Sequence, residues 1–266
     1  MLLSRLLYYL SSIPTLLFGV KNLPAVIFAL LNRAAHKTLI VELRDGTRYQ
    51  VRTAMDVWVL KEACIDHQYE KFSVAIQDGW TILDIGAGLG DFAIGVAHAH
   101  PQSTVYAYEP FPESFQLLQE NLRLNQIKNV HASPCAIGGK TGSTQLQLIT
   151  PEAVQHSTAS DSNGASGVIT VNSITLDQVF SEHKINRIDY MKMDCEGAEY
   201  ETLFNANPAT LAKIKHIMLE HHDGVTNYSH LDLVRFFEQN GFTAKRIPNP
   251  VHRDLGLVYA VNINLA

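Results

Sequence analysis

A glycine-rich segment lies where an apolar strand should pass into a helix. The run Trp80–Leu83 leads into Asp84–Asp91, which reads D-I-G-A-G-L-G-D. Three alternating glycines can adopt positive φ angles and let the backbone approach a ligand without obstruction by a Cβ atom. The third glycine comes one residue earlier than in the dinucleotide fingerprint, and no P-loop Lys-Ser/Thr pair follows. The motif therefore predicts a nucleotide-like cofactor site of another kind.

An acidic residue ends the next predicted strand. The apolar run Val105–Tyr108 is followed by Glu109 and Pro110. A carboxylate at the end of the second strand of such a fold can accept hydrogen bonds from both hydroxyls of a ribose. The alternative interpretation is a surface glutamate placed before a proline.

Four predicted strand ends carry carboxylates, namely Asp84, Glu109, Asp194 and Glu220. Ligands of open α/β sheets bind beyond the carboxyl ends of the strands, so these side chains should face one cleft. Carboxylates crowded in a cleft need a cation or hydrogen-bond donors to offset their repulsion. S-adenosylmethionine supplies a sulfonium, an ammonium and two ribose hydroxyls, whereas NAD brings a pyrophosphate that prefers basic groups. The pattern predicts S-adenosylmethionine as the cofactor.

The elements that must position these residues alternate between strand and helix patterns, which indicates a mostly parallel α/β sheet covered on both faces, a Rossmann-like doubly wound fold. Upstream, Asp45-Gly46 between two β-like runs predicts a β-hairpin. We expect helices over 57–72, 93–99, 112–125 and 230–240, the last capped by Ser229, and strands over 130–132, 145–149, 188–193, 214–219 and 258–263. The Ser/Thr/Gly-rich stretch 150–167 is expected to be a lid or an inert insertion.

Composition limits the class of protein. The chain has 266 residues, 46% of them hydrophobic and 18% charged, which suffices for one catalytic domain and an appendage. A formal net charge of −5 without a Lys/Arg block argues against a nucleic-acid partner. Three widely spaced cysteines, Cys64, Cys135 and Cys195, predict neither a disulfide framework nor a thiolate zinc site, and so favour a reducing, cytoplasmic location.

The first 31 residues are unusually apolar but are interrupted by Pro14, Lys21 and Pro24. Because no uncharged, proline-free stretch of about 18 residues occurs, we expect two short helices rather than a spanning one. They could contact a membrane peripherally, cover the catalytic domain or a second copy in a homo-oligomer, or be disordered. The predicted organisation is a hydrophobic helical segment (1–35), a hairpin and helix leading into the core (36–72), and the Rossmann-like domain (73–266).

The combined motifs resemble the FkbM family of S-adenosylmethionine-dependent methyltransferases. The resemblance covers about residues 50 to 245 and depends on the glycine loop, Glu109-Pro110, Ala136-Ile137-Gly138 and the segment 188–199, whose K-x-D-x-E-G-A-E pattern is the specific part. It implies a seven-stranded sheet with one antiparallel strand from a final hairpin, and mainly O-methylation of sugars or natural products. If the first 31 residues touch lipid, a lipid-linked sugar is a further candidate acceptor. Gly88-Leu89 and Cys195 depart mildly from the usual family residues.

The resemblance also implies roles for individual residues. The cofactor's methionine end would lie on the glycine loop, its ribose on Glu109 and its adenine near Cys135 and Ala136. Asp194 and Glu196 would lie nearest the transferred methyl group, and Arg52 and Asp56 could contact a small-molecule acceptor. The predicted cofactor-binding residues are Asp84, Gly86, Ala87, Gly88, Gly90, Glu109, Pro110, Cys135 and Ala136, and the predicted acceptor residues are Arg52, Asp56, Glu220 and His222.

An alcohol oxygen must lose its proton on methylation, so we expect Asp194 or Glu196 to act as the base, unless positioning alone suffices. A metal held by Asp194, Glu220 and His221 or His222 is an open alternative, and we assign no metal. Adjacent histidines after a strand point to opposite sides, so at most one should face the cleft.

Two other residues have structural explanations. Glu199 is expected to act at a helix N-terminus, and His216 to pack in the core. The rival functions are an NAD-dependent oxidoreductase and a non-catalytic, membrane-associated or oligomeric scaffold.

Overall fold

A computed structural model describes residues 2–31, 39–148, 156–157 and 167–265. The chain begins with helices α1 (Leu2–Gly19) and α2 (Leu23–Leu31). A hairpin follows, formed by β1 (Leu39–Glu42) and β2 (Arg48–Val51) paired antiparallel. The Asp45 carboxylate accepts the Thr47 amide at 2.8 Å and closes the turn, as expected for an Asp-Gly connection. The predicted hairpin and the two N-terminal helices are confirmed.

The N-terminal helices lie against the hairpin. The backbone N–H of Lys21 donates to the Glu42 carbonyl at 2.7 Å, and that of Arg44 donates to the Gly19 carbonyl at 3.0 Å. Their outer side keeps apolar side chains in solvent, with Phe18 74% and Leu31 80% exposed. Within the described ranges, no helix combines the length and apolarity needed to cross a bilayer.

The single helix predicted over 57–72 is wrong. The segment instead forms α3 (Ala54–Leu60), a π-helical turn (Lys61–Ile65) and α4 (Gln68–Lys71). His67 ends the first part because its φ of 49° is left-handed and cannot continue a right-handed helix. Apolar spacing gave no sign of this break, which turns α4 toward the sheet.

The remaining elements alternate along the chain. In order they are β3 (Thr81–Ile85), α5 (Asp91–Ala99), β4 (Thr104–Tyr108), α6 (Pro112–Leu124), β5 (Val130–Ser133), β6 (Ala136–Ile137), β7 (Gly142–Leu148), β8 (His156–Ser157), β9 (Gly167–Ile174), α7 (Leu176–Glu182), β10 (Ile188–Met193), α8 (Glu199–Phe204), α9 (Pro208–Leu211), β11 (Ile214–His222), α10 (His230–Gln239), β12 (Phe242–Pro248) and β13 (Leu255–Asn262).

Seven strands form the central sheet in the order β12-β13-β11-β10-β3-β4-β5. The pairs from β11 through β5 are parallel, and the final hairpin adds β13 antiparallel to β11. Alternate side chains of each strand enter separate apolar clusters: Tyr190 packs toward α5 and α6, whereas Met191 packs toward α7, α8 and α10. The sheet is thus covered on both faces, which confirms the predicted Rossmann-like doubly wound fold.

Two strand predictions need correction. β11 continues past Leu219 to His222, so Glu220 and both histidines belong to the strand. β7, expected at an edge, is paired on both sides in a second sheet of order β6-β9-β7-β8. The stretch 150–167, expected to be a lid or an inert insertion, lies almost wholly outside the described residues.

Candidate active site

A cavity lies at the carboxyl ends of β3, β4 and β10. Its walls come from the glycine loop, from Glu109–Phe111, from Cys135–Ile137 and from Lys192–Glu196, with Arg52 and Asp56 closing one side. Atom-free space of about 950 Å³, part of it open to solvent, lies between these walls. Hereafter this space is called the donor cavity.

The glycines of the loop have different reasons to be glycine. At Gly86, with φ of +77°, a Cβ atom would lie 1.8 Å from the Asp194 carbonyl oxygen. At Gly90 it would meet the Leu118 and Ile94 side chains. Only at Gly88 is the space open, because its nearest neighbour would be an Asp91 carboxylate oxygen 3.6 Å away. Two of the three glycines therefore serve packing rather than ligand approach.

Glu109 is held by the loop it faces. Its two carboxylate oxygens accept the backbone N–H groups of Gly88 and Phe111, each at 2.8 Å. Burial raises the pKa of Glu109 to about 7, in spite of these two hydrogen bonds. The carboxyl group lines the donor cavity and can accept further hydrogen bonds there, as the predicted ribose contact requires.

Asp84 lies behind the glycine loop and is fully buried. Its Oδ1 atom is 3.1 Å from the Lys192 Nζ atom, which also donates to the Gly86 carbonyl at 2.6 Å. Burial raises the pKa of Asp84, and the Lys192 ammonium opposes that shift. Asp84 does not line the donor cavity, and neither do Ala87 and Gly90. These three residues therefore support the loop. They are not exposed to the cavity, as direct contact with a cofactor would require.

Sequence reasoning assigned no role to Asp91 or Lys192. Asp91 begins α5, lines the donor cavity and is 5% exposed. Burial raises its pKa to about 7, with Lys192 opposing and Asp84 adding to the shift. Its position directly after the third glycine was a usable signal. Lys192 enters the prediction only as part of the family motif. Nothing in its sequence neighbourhood indicated that it would pair with a carboxylate of the neighbouring strand.

Asp194 and Glu196 follow β10 and line the donor cavity together. The Tyr69 hydroxyl donates to Asp194 Oδ2 at 3.3 Å. Glu196 has a φ of 52°, a left-handed conformation that is rare for a residue other than glycine. Burial, with the nearby Asp194 and Glu199 carboxylates, raises the pKa of Glu196 to about 7. A strained residue with a carboxyl group that titrates near neutrality is typical of functional sites.

Glu199 explains how this loop is held. As expected, it lies in the first turn of a helix, α8, and its carboxylate accepts the N–H groups of Cys195 at 3.1 Å and Gly197 at 2.8 Å. It also lies 3.2 Å from His222 Nδ1, a contact that the sequence did not indicate. Burial raises the pKa of Glu199, but the His222 imidazole outweighs this and lowers it.

His222 connects Glu199 to Glu196. Its Nε2 atom lies 3.2 Å from Glu196 Oε2, so each ring nitrogen faces a carboxylate. Burial alone would lower the pKa of this imidazole, yet Glu199, Glu196 and Glu220 hold it well above its usual value. These three carboxylates therefore favour the protonated, cationic form of the imidazole.

The two adjacent histidines of β11 do point apart. His221 is fully buried, its Nε2 accepts Arg246 Nε at 3.1 Å, and its Nδ1 faces Asp223 at the same distance. Burial lowers its pKa to about 4. His216 is a core residue as predicted, with its ring stacked on Trp80 and its Nδ1 2.8 Å from the Tyr259 hydroxyl.

A second cavity adjoins the first. It is lined by Glu220 and His222 and shares Val59, Tyr69, Asp194 and Glu196 with the donor cavity. Side chains from α1 and α3 form one part of its wall, and Val225 with residues of the segment 249–255 form another. Hereafter this space is called the acceptor cavity. The two carboxylates predicted to lie nearest the transferred methyl group thus stand where the two spaces meet.

The remaining predicted residues all line the donor cavity. For Arg52 and Asp56 this differs from the acceptor contact that the resemblance implied. Arg52 and Asp56 line the donor cavity but bind each other, with Arg52 Nη2 3.1 Å from Asp56 Oδ1. Asp56 is fully buried and also caps α3. Pro110, Cys135 and Ala136 line the donor cavity. The arrangement leaves the Arg52 side chain as the better placed of the pair to reach a ligand.

Ligand atoms of Asp194, Glu220 and His222 lie within 4.8 Å of one another. The structure therefore selects His222 over His221 for the metal alternative left open by the sequence. The same side chains can equally stabilise a cationic ligand. One imidazolium neutralises only part of the charge of two carboxylates, so the group keeps a net negative charge.

A seven-stranded, mostly parallel sheet with a glycine loop after β3 and an acidic rim defines a Rossmann-like methyltransferase, whose cofactor is S-adenosylmethionine. The model of the methyltransferase FkbM domain matches residues 84–244, and the chain belongs to that family. This confirms the family prediction and favours methyl transfer over the oxidoreductase and scaffold alternatives.

Individual relatives are distant. Methyltransferase 1 of Beauveria bassiana is 27% identical over 165 residues, 55% of this chain and 65% of that protein, just under two thirds of its length. The 31-O-demethyl-FK506 methyltransferase FkbM of Streptomyces tacrolimicus is 22% identical over 73% of this chain and 84% of its own. The crystal structure of methyltransferase FkbM from Methylobacillus flagellatus gives a TM-score of 0.51 at 16% identity, over 77% of this chain and 53% of the other.

Proposed function

We propose that the protein transfers a methyl group to a hydroxyl of a small molecule, a sugar or a natural product. The observation that carries this proposal is the meeting of the two cavities at Asp194 and Glu196. A donor in one space and an acceptor in the other would present their reacting atoms to each other at these carboxylates. The Streptomyces relative is named as a methyltransferase of 31-O-demethyl-FK506, and this name supports transfer to oxygen.

S-adenosylmethionine supplies an activated methyl group when bound. The chain's own contribution is to hold the acceptor oxygen in line with that group and to exclude water, which alone accounts for much of the rate of such displacements. The glycine loop and Glu109 would fix the donor from one side. Asp194, bound by Tyr69 at 3.3 Å, would fix the methyl end from the other.

Glu196 is the better candidate for the base. A general base works best when its pKa lies near the working pH, and the pKa of Glu196 is raised to about 7. The His222 imidazolium, 3.2 Å away, is placed to stabilise the ionised carboxylate before it accepts the hydroxyl proton. Asp194, by contrast, would act on the donor through its charge.

Calorimetric titration with S-adenosylmethionine, S-adenosylhomocysteine and NAD tests the donor. Binding of the first two without the third is expected, and binding of NAD alone would overturn the proposal. Glu196→Gln should then lower methyl transfer by about 10²–10⁴-fold with donor affinity unchanged. Glu201→Gln, an exposed residue of the same helix region, should change neither. Full turnover by Glu196→Gln would exclude it as the base.

The acceptor can be sought in cell extract with a radiolabelled methyl donor, followed by separation into aqueous and organic phases. Label in the organic phase would support a lipid-linked acceptor. The exposed apolar side chains of α1 and α2 support a peripheral contact of a cytoplasmic enzyme, with a membrane or with a second copy. Vesicle flotation tests the contact with a membrane, and sedimentation tests the contact with a second copy. Each compares the Phe18→Ser/Phe28→Ser double variant with the unchanged protein. Unchanged behaviour of the variant in both assays would exclude such a contact.

A further inference from the structure

The acceptor cavity has a one-sided charge. Four carboxylates line it, those of Glu62, Asp194, Glu196 and Glu220. Among its described lining residues none is Lys or Arg, and the basic candidates are two histidines. Burial, with the neighbouring Asp194 and Glu196 carboxylates, raises the pKa of Glu220 well above its usual value. Carboxyl groups that repel one another in this way attract a cationic ligand and oppose an anionic one.

The nearest cations already have partners. Lys61 is 2% exposed and lies 2.7 Å from Asp66 Oδ2. Arg52 is bound to Asp56, and the His222 imidazole lies between two glutamates. Each of these cations already faces a carboxylate of the protein, so balancing a carboxylate or a phosphate on an acceptor would mean breaking one of these ion pairs.

Aromatic side chains form the outer wall of the acceptor cavity. Tyr8 and Tyr9 of α1 lie beside Trp58 of α3, with ring centroids 5.8 and 5.5 Å from the indole. Glu62 holds two of these rings, since the Tyr8 hydroxyl and the Trp58 indole N–H, at 2.9 Å, both donate to its Oε1 atom. The Lys61 ammonium lies over the Tyr8 and Trp58 rings, 4.5 and 4.9 Å from their centroids, and so occupies one face of each. The ring surface left on the wall, next to fixed hydrogen-bond acceptors, suits a ring compound that carries hydroxyl or amino groups.

We propose that the acceptor cavity selects by charge: it binds a neutral or amine-bearing polyhydroxylated ring compound against Tyr9 and Trp58 and rejects anionic acceptors. This inference rests on the proposed function for its chemistry, but the charge of the cavity can be measured without turnover. The helix α1, outside the residues that match the family model, then forms part of the acceptor site.

The first test uses collisional quenching of Trp58 fluorescence in the full-length Trp80→Phe variant, which leaves Trp58 as the single tryptophan. Caesium, iodide and acrylamide serve as cationic, anionic and neutral probes at low ionic strength and pH 8.5. After normalisation to acrylamide, caesium should quench at least twofold more strongly than iodide, and Glu220→Gln should reduce the difference. Iodide quenching equal to or stronger than that of caesium would overturn the proposal.

The second test compares three methyl pyranosides of one ring type, a glucoside, a 2-amino-2-deoxyglucoside and a glucuronide. Each is scored for protection of Trp58 from acrylamide and for formation of S-adenosylhomocysteine. The glucuronide should be at least tenfold weaker than the other two, and Tyr9→Ala should weaken those two alone. A glucuronide that protects as well as the glucoside, or no protection by any of them, would refute the assignment. Loss of S-adenosylmethionine binding in calorimetry would instead refute the proposed function.

Discussion

Replacing Glu199 by glutamine, a side chain of nearly the same size, should weaken the contacts that hold the active-site loop. The Glu199 carboxylate is completely buried and accepts two backbone N–H groups of the loop, at 3.1 and 2.8 Å, besides facing His222 Nδ1 at 3.2 Å. A glutamine has one oxygen for these three donors and must direct its NH₂ group at one of them. Removing one partner of a buried ion pair costs about 3–5 kcal/mol, so we expect the free energy of unfolding to fall by about that amount.

The loss should also reach the chemistry. Glu196 keeps a φ of 52° only because the surrounding loop holds it there, and such a conformation costs a residue other than glycine about 1–2 kcal/mol. Without the Glu199 bonds to Cys195 and Gly197, Glu196 should relax away from the junction of the cavities. Methyl transfer should fall by about 10²-fold while the calorimetric affinity for S-adenosylmethionine stays within a factor of about three.

Glu201→Gln is the matched control, because Glu201 lies in the same helical turn but is exposed. It should change stability by less than about 0.5 kcal/mol. Denaturant unfolding at pH 7 measures both variants. The pKa of Glu199 is lowered in the folded protein, so its contribution is present above the unfolded-state pKa of about 4.3 and disappears as the pH falls through the folded-state pKa. Equal stability of the two variants at pH 7 would refute the holding role.

Three further outcomes are expected. Since the pKa of Glu196 is about 7 and a base acts when ionised, kcat/KM should rise with pH and level off above about pH 8, falling about tenfold per unit below pH 7; a flat profile from pH 5 to 8 would contradict this. Gly86→Ala should cost at least about 3 kcal/mol because its Cβ would lie 1.8 Å from a backbone oxygen, whereas Gly79→Ala, also at positive φ but with nothing within 4 Å, should cost about 1 kcal/mol; thermal denaturation compares them. Lys192→Met should cost about 3 kcal/mol at pH 7 and less at pH 5, where Asp84 protonates more readily; an unfolding free energy that shows no such pH dependence would count against the pairing.

The sequence sufficed for the central sheet and the rim of the site. Strands β3, β4 and β10 are apolar runs that end at Asp84-Ile85, Glu109 and Asp194, and the parallel order brings such ends together without any knowledge of side-chain packing. The family motif over 188–199 located the loop that carries Asp194 and Glu196, because the residues of this motif are adjacent in sequence.

Contacts between distant residues escaped prediction. Glu199 and His222 are 23 residues apart, and Tyr8 and Glu62 are 54 apart. Their pairing depends on how the elements pack, which no local spacing records. The break at His67 was missed because a left-handed residue other than glycine leaves no mark in apolar periodicity. The second sheet was missed because its strands pair with partners that lie far from them along the chain.

The aromatic wall has a consequence for how this enzyme could diversify. Tyr8, Tyr9 and Trp58 precede residue 84, where the family match begins, whereas Asp194, Glu196 and Glu199 lie inside it. The aromatic wall that we propose to hold the acceptor is therefore separate, along the chain, from the carboxylates that we propose to act in the transfer. Exchanging the leading helices between relatives offers a direct route to new substrate preference with the transfer machinery left intact.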